Sequence, residues 1–144
     1  NFFVPMDHSM TTVASTNQAF AQQHSGAHFA EKKVNAATID QFVKENDINP
    51  DFLKIDAEQH ELEVLKGGLE TLKRYHPMII CEVFTSGSET MESYRSQNPR
   101  IYELEHILKP LDYRFYTWHE DGSLREIPTL NVNLKYRNVL FKVT

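Results

Sequence analysis

Phe52-Leu53-Lys54-Ile55-Asp56-Ala57-Glu58-Gln59-His60-Glu61-Leu62-Glu63-Val64-Leu65-Lys66-Gly67-Gly68 is the stretch that decides how this chain folds. Its first four residues are a brief apolar run that stops at an acidic residue, as a buried strand does when it reaches a polar edge. From Leu62 the period changes. Leu62, Leu65, Leu69 and Leu72 recur at +3, +4 and +3, one apolar stripe of a helix, with Glu58, Glu61 and Glu63 near its start and Lys66, Lys73 and Arg74 towards its end, as the helix dipole favours. Gly67-Gly68 costs about 1 kcal/mol per glycine relative to alanine, so a single helix carrying the pair is expected to use it for close packing against a neighbour. Pro77 ends that helix, and Met78-Ile79-Ile80-Cys81 forms a second apolar strand closed by Glu82.

Outward from this strand-helix-strand unit, Thr38-Ile39-Asp40-Gln41 has the pattern of a capping box, with the Thr38 hydroxyl accepting from the Gln41 amide and the Gln41 side chain reaching back. A short helix is predicted from there to Asn46, burying Ile39, Phe42 and Val43. Residues 1–33 read as a strand, Phe2-Phe3-Val4, and a long polar loop in which His24 and His28 have metal-ligand spacing, though Ser25-Gly26 argues against a helix between them. Residues 85–144 read as a polar loop to about Arg100, a helix carrying Ile101, Leu104, Ile107, Leu108 and Leu111, an aromatic strand from Tyr113 to Trp118, a turn at Asp121-Gly122 and a closing strand from Asn138 to Val143. The expectation is a single α/β domain over 1–144, with a mainly parallel sheet covered by helices on both faces and the last two strands an antiparallel pair at one side.

Composition fits that class. The chain has 144 residues, 40% hydrophobic and 24% charged, with 5 glycines and 6 prolines, which excludes disordered and collagen-like classes. A net charge of −5 without a basic run removes the footprint of a nucleic-acid binder. No apolar stretch is long enough to span a membrane. The single cysteine, Cys81, cannot form an internal disulfide, which fits a reducing compartment, and a cytoplasmic location is expected. Cys81, inside an apolar strand, reads as a core residue rather than a nucleophile. Ser86-Gly87-Ser88 lacks the flanking glycines of a nucleophile elbow.

In open α/β sheets, ligands bind beyond the carboxyl ends of the strands, which draws attention to Asp56 and Glu82, each directly after a buried strand. With Glu58, His60 and Glu61, five ionisable groups gather on one rim. Such crowding raises carboxylate pKa values or binds a divalent cation, and the imidazole of His60 is the one side chain there whose unperturbed pKa lies near neutrality. The plainer reading is that Asp56 or Glu58 caps the helix and the others are solvated.

Asp51 to Gly68 closely resembles the signature of FkbM-type methyltransferases, approximately DFLKIDVEGxExxVLKGA. Thr38-Ile39-Asp40-Gln41-Phe42 resembles that family's TLDDF segment and Pro77-Met78-Ile79-Ile80-Cys81-Glu82 its K-P-x-I-x-x-E strand. Together these motifs cover about residues 34–84, and Gln59 stands where the family has glycine. The resemblance implies a seven-strand, Rossmann-like class I methyltransferase that moves a methyl group from S-adenosylmethionine to a hydroxyl of a small acceptor, a sugar or a natural product. It makes Asp56, His60 and Glu82 the candidate catalytic residues, with Asp56 orienting the acceptor and His60 taking the proton. Asp56, Ala57 and Glu58 become the candidates for cofactor contact, and Asp56 with Glu82 for a divalent metal such as magnesium.

Such a donor site needs a glycine-rich turn after the first strand. Gly26, Gly67, Gly68, Gly87 and Gly122 form no G-x-G, so the chain is expected to be the distal, carboxyl-terminal part of that sheet, incomplete at its N-terminal side. A half sheet would expose an edge, and a homo-oligomer is one way to cover it. Two other readings stand beside this one: a metal-dependent α/β hydrolase or phosphotransferase using Asp56, Glu58 and Glu82, and a non-catalytic interaction module.

Overall fold

A computed structural model describes residues 2–6, 29–84, 90–131 and 138–144. Strands β1 (Phe2–Pro5) and β2 (Phe29–Lys32) form a separate antiparallel ribbon. The first strand matches the expectation from the sequence; β2 falls within a stretch that reads as a loop. His24, His28, Gly26 and the Ser86-Gly87-Ser88 turn lie outside the described residues.

Helix α1 (Ile39–Asn46) begins as expected, with the Gln41 amide donating to Thr38 Oγ1 at 3.1 Å. The reciprocal half of the box does not form. Gln41 Nε2 donates instead to Glu45 Oε1, 2.8 Å away, one helical turn on along the exposed face. Of the expected apolar stripe only Val43 is buried, and Phe42 is 55% exposed.

The single helix expected after β3 (Phe52–Ile55) is two: α2 (Glu61–Lys66) and α3 (Leu69–Tyr75), divided at the glycine pair. The break has a tertiary cause. In an unbroken helix the amides of Glu70 and Thr71 would bond the carbonyls of Lys66 and Gly67. Here both donate to the carboxylate of Asp40 in α1, and the Gly67 carbonyl accepts the Asp40 amide at 3.0 Å. The glycines do permit the close packing expected of them: a Cβ on Gly67 would lie 3.2 Å from Thr38 Cβ, and one on Gly68 3.1 Å from Ile39 Cδ1.

After β4 (Met78–Glu82), the stretch that reads as a polar loop contains helix α4 (Met91–Gln97), capped by Thr90, and the start of α5 (Pro99–Leu108), which has proline in its first turn. A 3₁₀ turn at Lys109–Leu111 leads into β5 (Tyr113–Trp118), then the hairpin strand β6 (Leu124–Ile127) and finally β7 (Asn138–Val143). The sheet order is β3-β4-β7-β5-β6. Only β3 and β4 run parallel, so the sheet is mixed rather than mainly parallel. β5 and β7 do pair antiparallel, but β7 is inserted between β4 and β5, and the outer position belongs to β6, an exposed strand too polar to show an apolar alternation.

Register explains the core. Leu53, Ile79, Phe141, Phe115 and Ile127 form one row across all five strands, and Ile55, Cys81 and Val139 a second on the same face. Leu62 and Leu65 of α2, Leu72 of α3, and Leu104 and Leu108 of α5 pack onto these rows in one cluster. Each such side chain contributes about 1.5–3 kcal/mol by leaving water. Every buried apolar residue of these three helices joins this cluster, so they cover one face. On the opposite face Phe52 is 50% and Met78 43% exposed. Among the described residues β3 pairs on one side only. No helix is long and apolar enough to cross a membrane among the described residues.

Candidate functional site

β3 and β4 end side by side. Ile55 pairs with Cys81, so the next residues along the two parallel strands, Asp56 and Glu82, emerge as neighbours on the face away from the helices. Asn138 of β7 is the register partner of Glu82 on its other side. Lys54 shares that face and its Nζ lies 3.2 Å from Asp56 Oδ2.

Partial burial pushes Glu82 up to about 7, the hydrogen bond and charge of Asp56 and the charge of Glu58 push the same way, and Lys54 opposes them. With Lys54 paired to Asp56, Glu82 is the member of the pair that exchanges its proton near neutrality. Cys81, in β4, is fully buried; burial raises its thiol far above the usual range, in keeping with a core residue.

The other groups of the rim diverge. Neither Asp56 nor Glu58 caps α2; the helix's own Glu61, only 4% exposed, folds back so that Oε1 accepts the amides of Ala57 and Gln59, both at 3.1 Å. Its carboxylate therefore shapes the β3–α2 loop. His60 occupies the N-cap position without a side-chain cap, its amide donates to the Ala57 carbonyl at 3.1 Å, and its Nδ1 is buried with no hydrogen-bond partner among the described residues.

Glu58 and Gln59 take left-handed backbone conformations, φ 48° and 73°. Each costs a residue with a Cβ about 1–2 kcal/mol. This is a physical reason for glycine at the Gln59 position of the family motif: glycine enters that region without the penalty.

On the helix side, a cleft of about 270 Å³ opens between Gln59 and Glu61 of this loop, Phe84 beyond β4, Asn98 and Arg100 at the α4–α5 junction, and Leu104. The sequence pattern does not single out Phe84, which follows the apolar strand, nor Asn98 and Arg100, because 85–100 reads as a loop. Thr90 before Met91-Glu92-Ser93, and Asn98-Pro99 ahead of an apolar stripe, are the start signals that could have revealed both helices.

Among the described residues no three carboxylate, imidazole or thiolate groups converge as a metal centre. The Asp56–Glu82 pair offers two carboxyls with an ammonium group 3.2 Å from one of them, a poor setting for a second cation. A methyl-donor cradle needs glycines beside open space at a strand end. Of the three described glycines, Gly67 and Gly68 are packed against α1 and Gly122 lies in the exposed β5–β6 turn, so they do not build it.

Residues 3–115 match the family model described as Methyltransferase FkbM domain. No curated protein and no solved structure shows a significant match.

Proposed function

Since the chain belongs to the FkbM methyltransferase family, matching its model over residues 3–115, we propose that it is the acceptor-side portion of an O-methyltransferase in which the Asp56–Glu82 pair handles the proton of a hydroxyl acceptor. S-adenosylmethionine, the donor that the family implies, supplies an electrophilic methyl group when bound. A hydroxyl is a weak nucleophile at neutral pH and needs a positioned base. Glu82 suits that role, because with its carboxyl at about 7 the ionised form is populated at physiological pH and yet basic enough to draw a proton. The acceptor O–H would donate to the Glu82 carboxylate, its proton passing to Glu82 while the electron pair stays on oxygen. Asp56, paired with Lys54, would then share that proton and hold the acceptor oxygen in line. This route assigns the proton to Glu82 rather than to His60, and Ala57 and Glu58, which follow Asp56 in the chain, would contact the donor at the end of β3.

The carboxylate pair at the ends of two adjacent parallel strands is the observation that carries this reading. Titration calorimetry with S-adenosylhomocysteine tests it on the full chain: micromolar binding that Asp56→Ala and Asp56→Asn both weaken supports it. Magnesium binding without nucleoside binding would favour a hydrolase or phosphotransferase, and binding of neither an interaction module.

A further inference from the structure

The β3–α2 loop holds a shape that its own residues oppose, with Glu58 and Gln59 left-handed in succession. Such conformations persist where the surroundings over-determine them. From within, Glu61 fixes the amides of Ala57 and Gln59. From outside, the Gln59 carbonyl accepts a hydrogen bond from Arg100 Nη2 at 3.0 Å, and the same nitrogen is paired with Glu63 of α2.

Arg100 stands in the first turn of α5, which has no acidic residue there. A cation at that end opposes the helix dipole, so helix stability does not account for it. Nor is it needed to dock α5: Leu104 and Leu108 are in the core, and Lys66 pairs with Glu103 on the same two helices. The distinctive contact of Arg100 is the one that ties the loop to an element 41 residues further along the chain.

We propose that Arg100 is the positioning residue of the site: its guanidinium, steadied by Glu63, locks Gln59 in its left-handed conformation and so fixes the loop from which Asp56 and Glu58 project. The part played by those carboxylates rests on the proposed function; the clamp itself does not.

Amide hydrogen exchange followed by NMR on the full chain tests it. Arg100→Ala should lower the protection of the Ala57 and Gln59 amides by about tenfold, the equivalent of one left-handed residue released. Core amides such as Phe115 and Phe141 should keep their protection, and Arg100→Lys, which retains the charge and N–H donors but not the planar fork, should restore part of the loss. In a Gln59→Gly background, where the backbone needs no clamp, Arg100→Ala should have little effect. Unchanged protection in Arg100→Ala, an equal loss with and without Gln59→Gly, or a loss spread over the core would each overturn the proposal. Because exchange is read without donor or acceptor, failure of the clamp and failure of the methyltransferase reading give separate results.

Discussion

The carboxylate of Asp40, in the first turn of α1, accepts the backbone amides of Thr71 at 2.8 Å and Glu70 at 3.1 Å and so caps α3 from another helix. α3 has only Gly68 at its own N-cap, which offers no side-chain acceptor. Removing a cap typically costs about 0.5–2 kcal/mol, and Asp40→Ala should lose that much in urea denaturation, with Asp40→Asn losing less. Burial raises the Asp40 carboxyl, but its hydrogen bonds to Thr71 and Glu70 and the nearby Lys73 outweigh this and leave it below the ordinary range. A depressed carboxyl contributes stability that is present above its unfolded value and lost as pH falls through its folded one. The difference between wild type and Asp40→Asn should therefore shrink in acid.

Gly68 faces Ile39 so closely that a Cβ would meet Ile39 Cβ at 3.2 Å. That branched atom is fixed to its backbone and cannot swing aside. Gly68→Ala should therefore lower stability by about 1–3 kcal/mol, measured by the urea midpoint. Combined with Ile39→Ala, which removes Cδ1 and Cγ2 but keeps Cβ, the further cost of Gly68→Ala should fall only in part.

Glu105 is 1% exposed and gathers the Tyr94 hydroxyl, the Thr129 hydroxyl, the Leu130 amide and the Lys109 ammonium. It joins α4 and α5 to the segment after β6. Removing it leaves several donors without an acceptor, and Glu105→Ala should cost about 3 kcal/mol by denaturation. Glu105→Leu should not recover the loss, because the stranded donors remain.

Glu82 should titrate near 7 in carbon-13 NMR of the labelled side chain, and Asp56→Asn should bring its midpoint down, since Asp56 raises it through both a hydrogen bond and its charge. Stability has a defined sign here. A raised folded value means that the Glu82 contribution is complete below the ordinary glutamate range and is lost as pH rises through about 7. Wild type should lose stability relative to Glu82→Gln over that interval.

Much of the fold was legible because it depends on local pattern: the cap at Thr38, the strands before Asp56 and Glu82, the leucine stripe and the aromatic β5 all lie where the sequence puts them. What was not legible depends on distant partners. The glycine pair divides a helix because Asp40 competes for its amides, and β7 enters the middle of the sheet because its buried row matches Ile79 and Phe115 on either side. Of the candidate site, adjacency of Asp56 and Glu82 follows from two parallel strands in register, whereas the inward turn of Glu61 and the reach of Arg100 depend on a loop conformation that no periodicity encodes.

At the centre of the proposed chemistry, Glu82, coupled to Asp56, takes the proton of the acceptor hydroxyl. Its most direct test is the pH dependence of labelled-methyl transfer from S-adenosylmethionine to a panel of monosaccharide acceptors. The rate should rise with pH through about 7, Asp56→Asn should move that limb to lower pH, and Glu82→Gln should lose about a hundredfold or more. Transfer by Glu82→Gln at the wild-type rate with an unchanged pH limb would contradict it.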